Sequence, residues 1–296
     1  MSLPEIIEKS LTTADGTRLA YQVREASPQR ERAPVIALAN GLGGTYTAWR
    51  HQYGLFGDRF KVISWDYRGL FRSSRPSDLA TLAIARQVAD LRDILDAEQA
   101  DQALLCGWSM GVQFNFEFRR QFPERVLGLV VCSGTAGRPF DGVMVLPQLQ
   151  RLLPCLLRQA RHITPVMGPM VSLATRWSGL IPLMQRLGMV APSLDRAVFH
   201  DIASEFGGLD FEAYTETLRY LGEHDCSESL ADIDIPTLVI CGTKDVLTPV
   251  RVAEDLVARI PDSELVLIEG GTHYVAVEFP DQVNAHLERF LSRLFG

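Results

Sequence analysis

An apolar run, Ala103-Leu104-Leu105-Cys106, passes without a break into Gly107-Trp108-Ser109-Met110-Gly111, and a helical stretch from Val112 to Phe122 follows. A strand that turns through G-x-S-x-G into a helix leaves a chain few ways to fold. The turn is sharp enough to lift one serine hydroxyl clear of a sheet edge. Its two glycines sit where any side chain would strike the neighbouring strand or helix. A G-x-S-x-G arises by chance in roughly one chain in ten of this length, so its setting must carry the reading.

That setting is a rhythm of short apolar runs with helices between them. Ile6 to Thr13 and Arg18 to Val23, joined at Asp15-Gly16, read as a hairpin. Pro34 to Ala39, Phe60 to Trp65 and Val126 to Cys132 read as strands, and Thr81 to Ala97 as an amphipathic helix. Further on, Ile235 to Cys241 and Glu264 to Ile268 read as strands, while Val250 to Arg259 and Asp281 to Leu294 read as helices. Wholly apolar strands alternating with helices mean a parallel sheet buried on both faces. The expected fold is therefore α/β: a doubly wound, mostly parallel sheet of about eight strands with helices on both sides. Between about Gly137 and Asp234 no strand is visible, only helical patches broken by Pro147, Pro154, Pro165, Pro169, Pro182 and Pro192. This predicts an all-helical cap, residues 137–232, inserted late in the sheet of a core formed by 1–136 and 233–296. It would lie over the C-terminal strand edge, where such sheets bind ligands.

Composition narrows the partners. A net charge of −7 argues against nucleic acid. No apolar stretch is long enough for stable membrane insertion, and the charged N-terminus lacks a signal-peptide core. Five cysteines show no C-x-x-C or Cys/His metal spacing, so neither a metal nor a disulfide framework is expected, and the cytoplasm is the default location. No cofactor is called for, the partner is a small-molecule substrate, and a homodimer is left open.

A serine hydroxyl needs a base to take its proton, and the base needs an orienting acid. Asp245, in Gly242-Thr-Lys-Asp245, and His273, in Gly271-Thr-His273, each follow a strand directly. Ser109, Asp245 and His273 thus fall on loops at one edge of one sheet. Asp245 has a second reading as a cap for the helix near Pro249. Asp141 is then the alternative acid, with Glu269 and Glu278 further candidates.

Five blocks now stand in order: Asn40-Gly41-Leu42-Gly43, Asp66-Tyr-Arg68-Gly69, the serine pentapeptide, Gly242-Thr-Lys-Asp245, and Gly271-Thr-His273 followed by Glu278-Phe-Pro280. On these the chain resembles the α/β-hydrolase fold superfamily, in its cap-bearing branch of small esterases, cofactor-free haloperoxidases and C–C bond hydrolases. The resemblance covers nearly the whole chain and weakens in the cap. It implies Ser109 as nucleophile, His273 as base and then acid, and Asp245 as the residue holding the imidazole. It also implies an oxyanion hole from the backbone N–H groups of Leu42 and Met110.

The resemblance further implies cleavage of a carboxylic ester through an acyl-serine. Thioester or C–C hydrolysis, acyl or perhydrolytic transfer, and non-catalytic ligand binding remain as alternatives. Two departures stand out. Asn40 replaces the family's usual histidine, so the hydrogen bonds behind the oxyanion loop must differ. Phe71 replaces a glycine and resists positive φ, so its loop is expected to take another path. Asp66 and Arg68 resemble a structural pair at a strand end. Gly41, Trp108 and Tyr274 are candidate pocket residues, and Met110 is expected beside Trp108 on the pocket floor. Met167, Met170, Met184 and Met189 point to a lipophilic acyl pocket. Arg151, Arg158, Arg161, Arg176 and Arg186 form either a solvated face, an anchor for an anionic substrate tail, or a membrane-facing patch.

Overall fold

The computed structural model describes residues 5–27, 33–141, 164–175 and 177–296. Its strands are β1 (Ile7–Thr12), β2 (Arg18–Arg24), β3 (Val35–Ala39), β4 (Lys61–Trp65), β5 (Ala103–Trp108), β6 (Val126–Cys132), β7 (Thr237–Gly242) and β8 (Ser263–Ile268). The described helices are α1 (Arg50–Phe56), α2 (Ile84–Ala97), α3 (Met110–Gln121), α4 (Thr164–Thr175), α5 (Leu180–Arg186), α6 (Arg196–Phe206), α7 (Phe211–Glu223), α8 (Val250–Arg259), α9 (Val275–Glu278) and α10 (Pro280–Phe295). The eight strands form one sheet in the order β1-β2-β4-β3-β5-β6-β7-β8. β1 and β2 run antiparallel to their neighbours, and all other pairings are parallel. The expected eight-stranded, mostly parallel sheet is the one observed.

Why the strands read as unbroken apolar runs is now visible. Ala37, Leu105, Leu129, Val131 and Val239 face one buried cluster with α2, α3 and α8. The alternate residues Ile36, Leu38, Leu104, Val130 and Leu238 face a second cluster with α1 and α10. The central strands β3, β5, β6 and β7 therefore bury both faces, and their period-two alternation separates two cores rather than core from solvent. Between β6 and β7 the described residues form no strand, only α4 to α7 and short 3₁₀ turns. No described helix is long and apolar enough to cross a membrane.

Phe71 departs from the expectation of an altered path. Its φ is +50°, so the phenylalanine itself adopts the left-handed conformation. Closure of the loop compels it: Ser73 N–H donates to Leu70 O at 3.0 Å, Ser73 Oγ donates to Asp66 O at 2.6 Å, and Ser74 N–H donates to Arg18 O at 2.8 Å. The ring packs on the first core cluster, which offsets a backbone cost of about 1 kcal/mol. Asp66 and Arg68 are structural, but they do not pair with one another. Asp66 takes Arg72 at 2.9 Å, while Arg68 joins Asp90 and Asp15.

A hydrogen bond ties the end of the β6–β7 segment to α3. Glu117 on α3 accepts from Arg120, Gln121 and His224, the last just beyond α7. Burial alone would raise the Glu117 carboxyl, but these three partners outweigh it and bring it down to about 2. A folded-state pKa below the unfolded one contributes stability above the ordinary glutamate range, and that contribution fades as pH falls toward 2. In denaturant titrations, Glu117→Gln should therefore lose stability at pH 7, with the gap to wild type closing between pH 5 and 2. A gap constant over that range would contradict this linkage.

Candidate active site

Four loops leave the C-terminal ends of parallel strands on one edge of the sheet: residues 40–44 after β3, Ser109 after β5, Asp245 after β7 and His273 after β8. Ser109 has φ +56° and ψ −117°, a conformation nearly closed to residues with a Cβ. The packing around it requires this turn. A Cβ on Gly107 would lie 2.6 Å from the Gly111 carbonyl oxygen, and one on Gly111 would overlap the Ala39 carbonyl. β5, α3 and β3 therefore approach closely enough to hold the bend shut. The serine hydroxyl makes no capping bond to α3 and is left for another partner.

That partner is His273. Ser109 Oγ lies 2.9 Å from His273 Nε2, and His273 Nδ1 lies 2.9 Å from Asp245 Oδ2. With the ring proton on Nδ1, Nε2 is the acceptor for the serine hydroxyl. Asp245 and His273 are buried, while Ser109 stays partly open. The helix-cap reading of Asp245 does not hold, because α8 starts after Pro249 with no side-chain cap and Asp245 closes only the turn before it. Its Oδ1 accepts from the N–H groups of Leu247 and Thr248, each at 2.9 Å, while Oδ2 takes the Thr248 hydroxyl at 2.7 Å beside the imidazole. Burial pushes this carboxyl up, but His273 and Thr248 outweigh it and hold the pKa below the ordinary aspartate value. The side chain of the alternative acid, Asp141, lies outside the described residues.

Residues 41–44 form a tight turn closed by Gly44 N–H donating to Gly41 O at 2.9 Å, with Gly43 at φ +84°. This is the type II pattern, in which the N–H of the second residue, Leu42, takes no part in the turn's own bond. Met110 opens α3, so its N–H has no acceptor one turn back. Asn40 anchors the turn from below. Its Nδ2 donates to Ser64 Oγ at 3.1 Å and to Trp65 O at 3.0 Å, its Oδ1 accepts from Trp49 Nε1 at 3.1 Å, and its carbonyl accepts from the Tyr67 hydroxyl at 2.8 Å.

A cavity of about 370 Å³ opens over Ser109 and His273. Gly41, Leu42, Gly43, Trp108, Leu247 and Tyr274 line it from the sheet edge. Thr175 and the α5 to α7 side chains Leu180, Met184, Phe199, Ile202, Ala203, Phe206 and Tyr214 line it from above. No Lys, Arg, Asp or Glu is among the described lining residues. Burial pushes the phenols of Tyr214 and Tyr274 up to about 12, so both are neutral near pH 7.

The three candidate pocket residues Gly41, Trp108 and Tyr274 all lie on this wall. Met110 does not: its side chain is buried in the first core cluster. Of the described methionine side chains Met184 faces the cavity, Met170 and Met189 are exposed, and the Met167 side chain lies outside the described residues. Arg151, Arg158, Arg161 and Arg176 also lie outside them, and Arg186 is exposed.

The α6 wall was not singled out from sequence. Its apolar residues Phe199, Ile202, Ala203 and Phe206 recur at helical spacing, but periodicity does not tell a core-facing stripe from a cavity-facing one. Glu278 plays a different part from the acid considered above. It is buried and accepts from Thr272 N–H at 2.7 Å, Thr272 Oγ1 at 2.6 Å and Ala191 N–H at 2.7 Å, clamping the loop before His273 to the segment between α5 and α6. Among the described residues, no three His, Cys, Asp or Glu side chains are grouped to hold a metal ion.

A family model described as the alpha/beta hydrolase family matches residues 36–286, a span that takes in all four loops. The chain belongs to the alpha/beta hydrolase family. Among curated members it is 29% identical over 293 residues to 3-oxoadipate enol-lactonase 2 of Acinetobacter baylyi, covering 98% of this chain and 99% of that one. It is 26% identical over 261 residues to a putative carbamate hydrolase of Azorhizobium caulinodans, covering 88% of this hydrolase and 91% of the relative. Among solved structures, the enol-lactonase of Burkholderia xenovorans superposes with a TM-score of 0.75 at 21% identity, over 96% of this chain and all of that one. That last likeness bears on the fold.

Proposed function

We propose that this hydrolase cleaves a neutral carboxylic ester with a small to medium, apolar acyl group, through an acyl-serine intermediate. The observation that carries the reading is the unbroken relay Ser109–His273–Asp245, with 2.9 Å at each step, opening into a cavity without described charged side chains. His273 Nε2 takes the Ser109 proton as Oγ attacks the ester carbonyl. The N–H groups of Leu42 and Met110 receive the negative oxygen, a contribution of about 10²–10³ in rate for each donor. His273 then gives its proton to the departing alcohol. Water, activated by the same imidazole, releases the acid and frees Ser109. Asp245 holds the proton on Nδ1 throughout.

The helices between β6 and β7 serve as the cap, residues 137–232, whose α6 and α7 side chains exclude water from the acyl group. An internal ester, the class in the name of the Acinetobacter relative, falls within the same chemistry. Buried free thiols at Cys106, Cys132, Cys226 and Cys241 suit a reducing cytoplasm.

The test is a panel of p-nitrophenyl esters of rising acyl length, paired with esters ending in a carboxylate. Neutral acyl groups that fit the cavity should turn over, with kcat/KM at least tenfold above their carboxylate-tipped counterparts, because a buried carboxylate without a partner costs several kcal/mol. Equal or better turnover of the anionic series would overturn the substrate assignment. Failure of a fluorophosphonate to label Ser109 in folded protein would overturn the mechanism.

A further inference from the structure

Trp108 touches three parts of the site at once. It precedes Ser109 directly in the chain. Its indole Nε1–H donates to the backbone carbonyl of His273 at 2.8 Å, across 165 positions of sequence. Its six-membered ring lies where side chains on Gly41 and Gly44 would be, since a Cβ at either position would come within 2.8 Å of the ring. The oxyanion turn therefore rests on the indole. Phe206 of α6 lies 2.5 Å from where a Cβ on Gly43 would be, so a second ring packs on the turn. Trp108 also packs against the rings of His273 and Tyr274, with centroids 5.9 and 5.4 Å away.

Position 108 thus carries more than a pocket wall. The indole is rigid, buried and attached to the residue next to the nucleophile. A hydrogen bond from such a group to the carbonyl of residue 273 limits how far the His273 backbone can move relative to Ser109. The same ring limits how far Leu42 N–H can move, because Leu42 lies between the two glycines' contacts. Rates in sites of this kind fall steeply when reacting groups drift by about 1 Å.

We propose that Trp108 is a positioning residue: one indole sets the general base through the His273 carbonyl and the oxyanion turn through Gly41 and Gly44. The proposal rests on the reading of Ser109 as nucleophile. The indole nitrogen is spent on a backbone carbonyl, so its loss should leave substrate affinity nearly unchanged while slowing acylation.

The cleanest test replaces Trp108 with 3-benzothienylalanine, which exchanges the N–H for sulfur and keeps the bicyclic shape, with Trp108→Phe as a second variant. Wild-type protein, labelled at Ser109 by a fluorophosphonate and inactive as Ser109→Ala, tests the underlying reading separately. Labelling that fails in wild type removes that reading and the proposal with it. Given labelling, the benzothienyl protein should melt as a single transition and show kcat lowered at least tenfold, KM within threefold of wild type, and Ser109 phosphonylation slowed in proportion. Trp108→Phe, which also removes part of the ring under Gly41 and Gly44, should be slower still. Wild-type kcat in the folded benzothienyl protein would overturn the positioning role. A rise in KM with both kcat and the phosphonylation rate of Ser109 unchanged would overturn it equally, assigning Trp108 to substrate contact alone.

Discussion

Replacing Ser109 with alanine should lower kcat by roughly 10⁶, with the residual rate coming from the oxyanion donors and binding. The structure explains why so little else should change. The Ser109 hydroxyl makes no capping bond to α3, and among the described residues its side-chain partner is His273 Nε2. An alanine has the same Cβ as serine and bears the same backbone strain at φ +56°. Unfolding free energy should therefore stay within about 0.5 kcal/mol of wild type, and an unreactive substrate analogue should bind as before. On the proposed reading nucleophile and base act as a unit, so Ser109→Ala combined with His273→Ala should be no slower than either alone. Calorimetric melting beside steady-state kinetics checks both halves. Residual turnover within tenfold of wild type in a folded Ser109→Ala protein would mean that another group attacks the substrate.

The second large effect concerns stability. Alanine is favoured over glycine in helices by about 1 kcal/mol, and Gly111 lies in the first turn of α3. Propensity alone would make Gly111→Ala stabilising. The new Cβ, however, would overlap the Ala39 carbonyl at the end of β3. This is backbone in a central strand, paired with β4 on one side and β5 on the other, so it cannot yield as a side-chain tip would. We expect Gly111→Ala to cost more than about 3 kcal/mol. Any protein that folds should also be slow, because moving Ala39 moves the 41–44 turn proposed to hold the oxyanion. Gly54→Ala is the matched control: it lies on the exposed side of α1 with nothing near its Cβ, and it should be neutral or stabilising. Urea denaturation of the three proteins measures the contrast. A Gly111→Ala protein as stable as wild type would show that the elbow has slack the packing does not reveal.

The reading from sequence reached furthest where local pattern and global architecture coincide. The parallel strands are short, mostly apolar runs ending in polar or glycine residues. Strand ends gather at one sheet edge in any parallel sheet, so Ser109, Asp245 and His273 could be placed together without coordinates. Leu42 came instead from the family resemblance, and it lines the cavity with Ser109.

What escaped was set by contacts between distant segments. Phe71 adopts positive φ because Ser73 and Ser74 close its loop onto Asp66 and Arg18, a constraint invisible in a five-residue window. Met110 packs in the first core cluster, apart from its neighbour Trp108. The α6 residues Phe199 and Phe206 look in sequence like any buried helical stripe. Glu278 resembled a spare acid until its three donors, two on Thr272 and one on Ala191, showed what it holds.

The backbone at Ser109 has one more consequence. Its φ and ψ belong to a region that glycine enters freely and other residues enter at about 1–3 kcal/mol. If thermal endurance were the only pressure on this position, glycine would be the natural occupant, and the protein would be sturdier and inert. A directed-evolution campaign selecting for heat resistance alone should therefore drift toward dead variants at the elbow, so any thermostabilisation of this hydrolase needs an activity screen run in parallel.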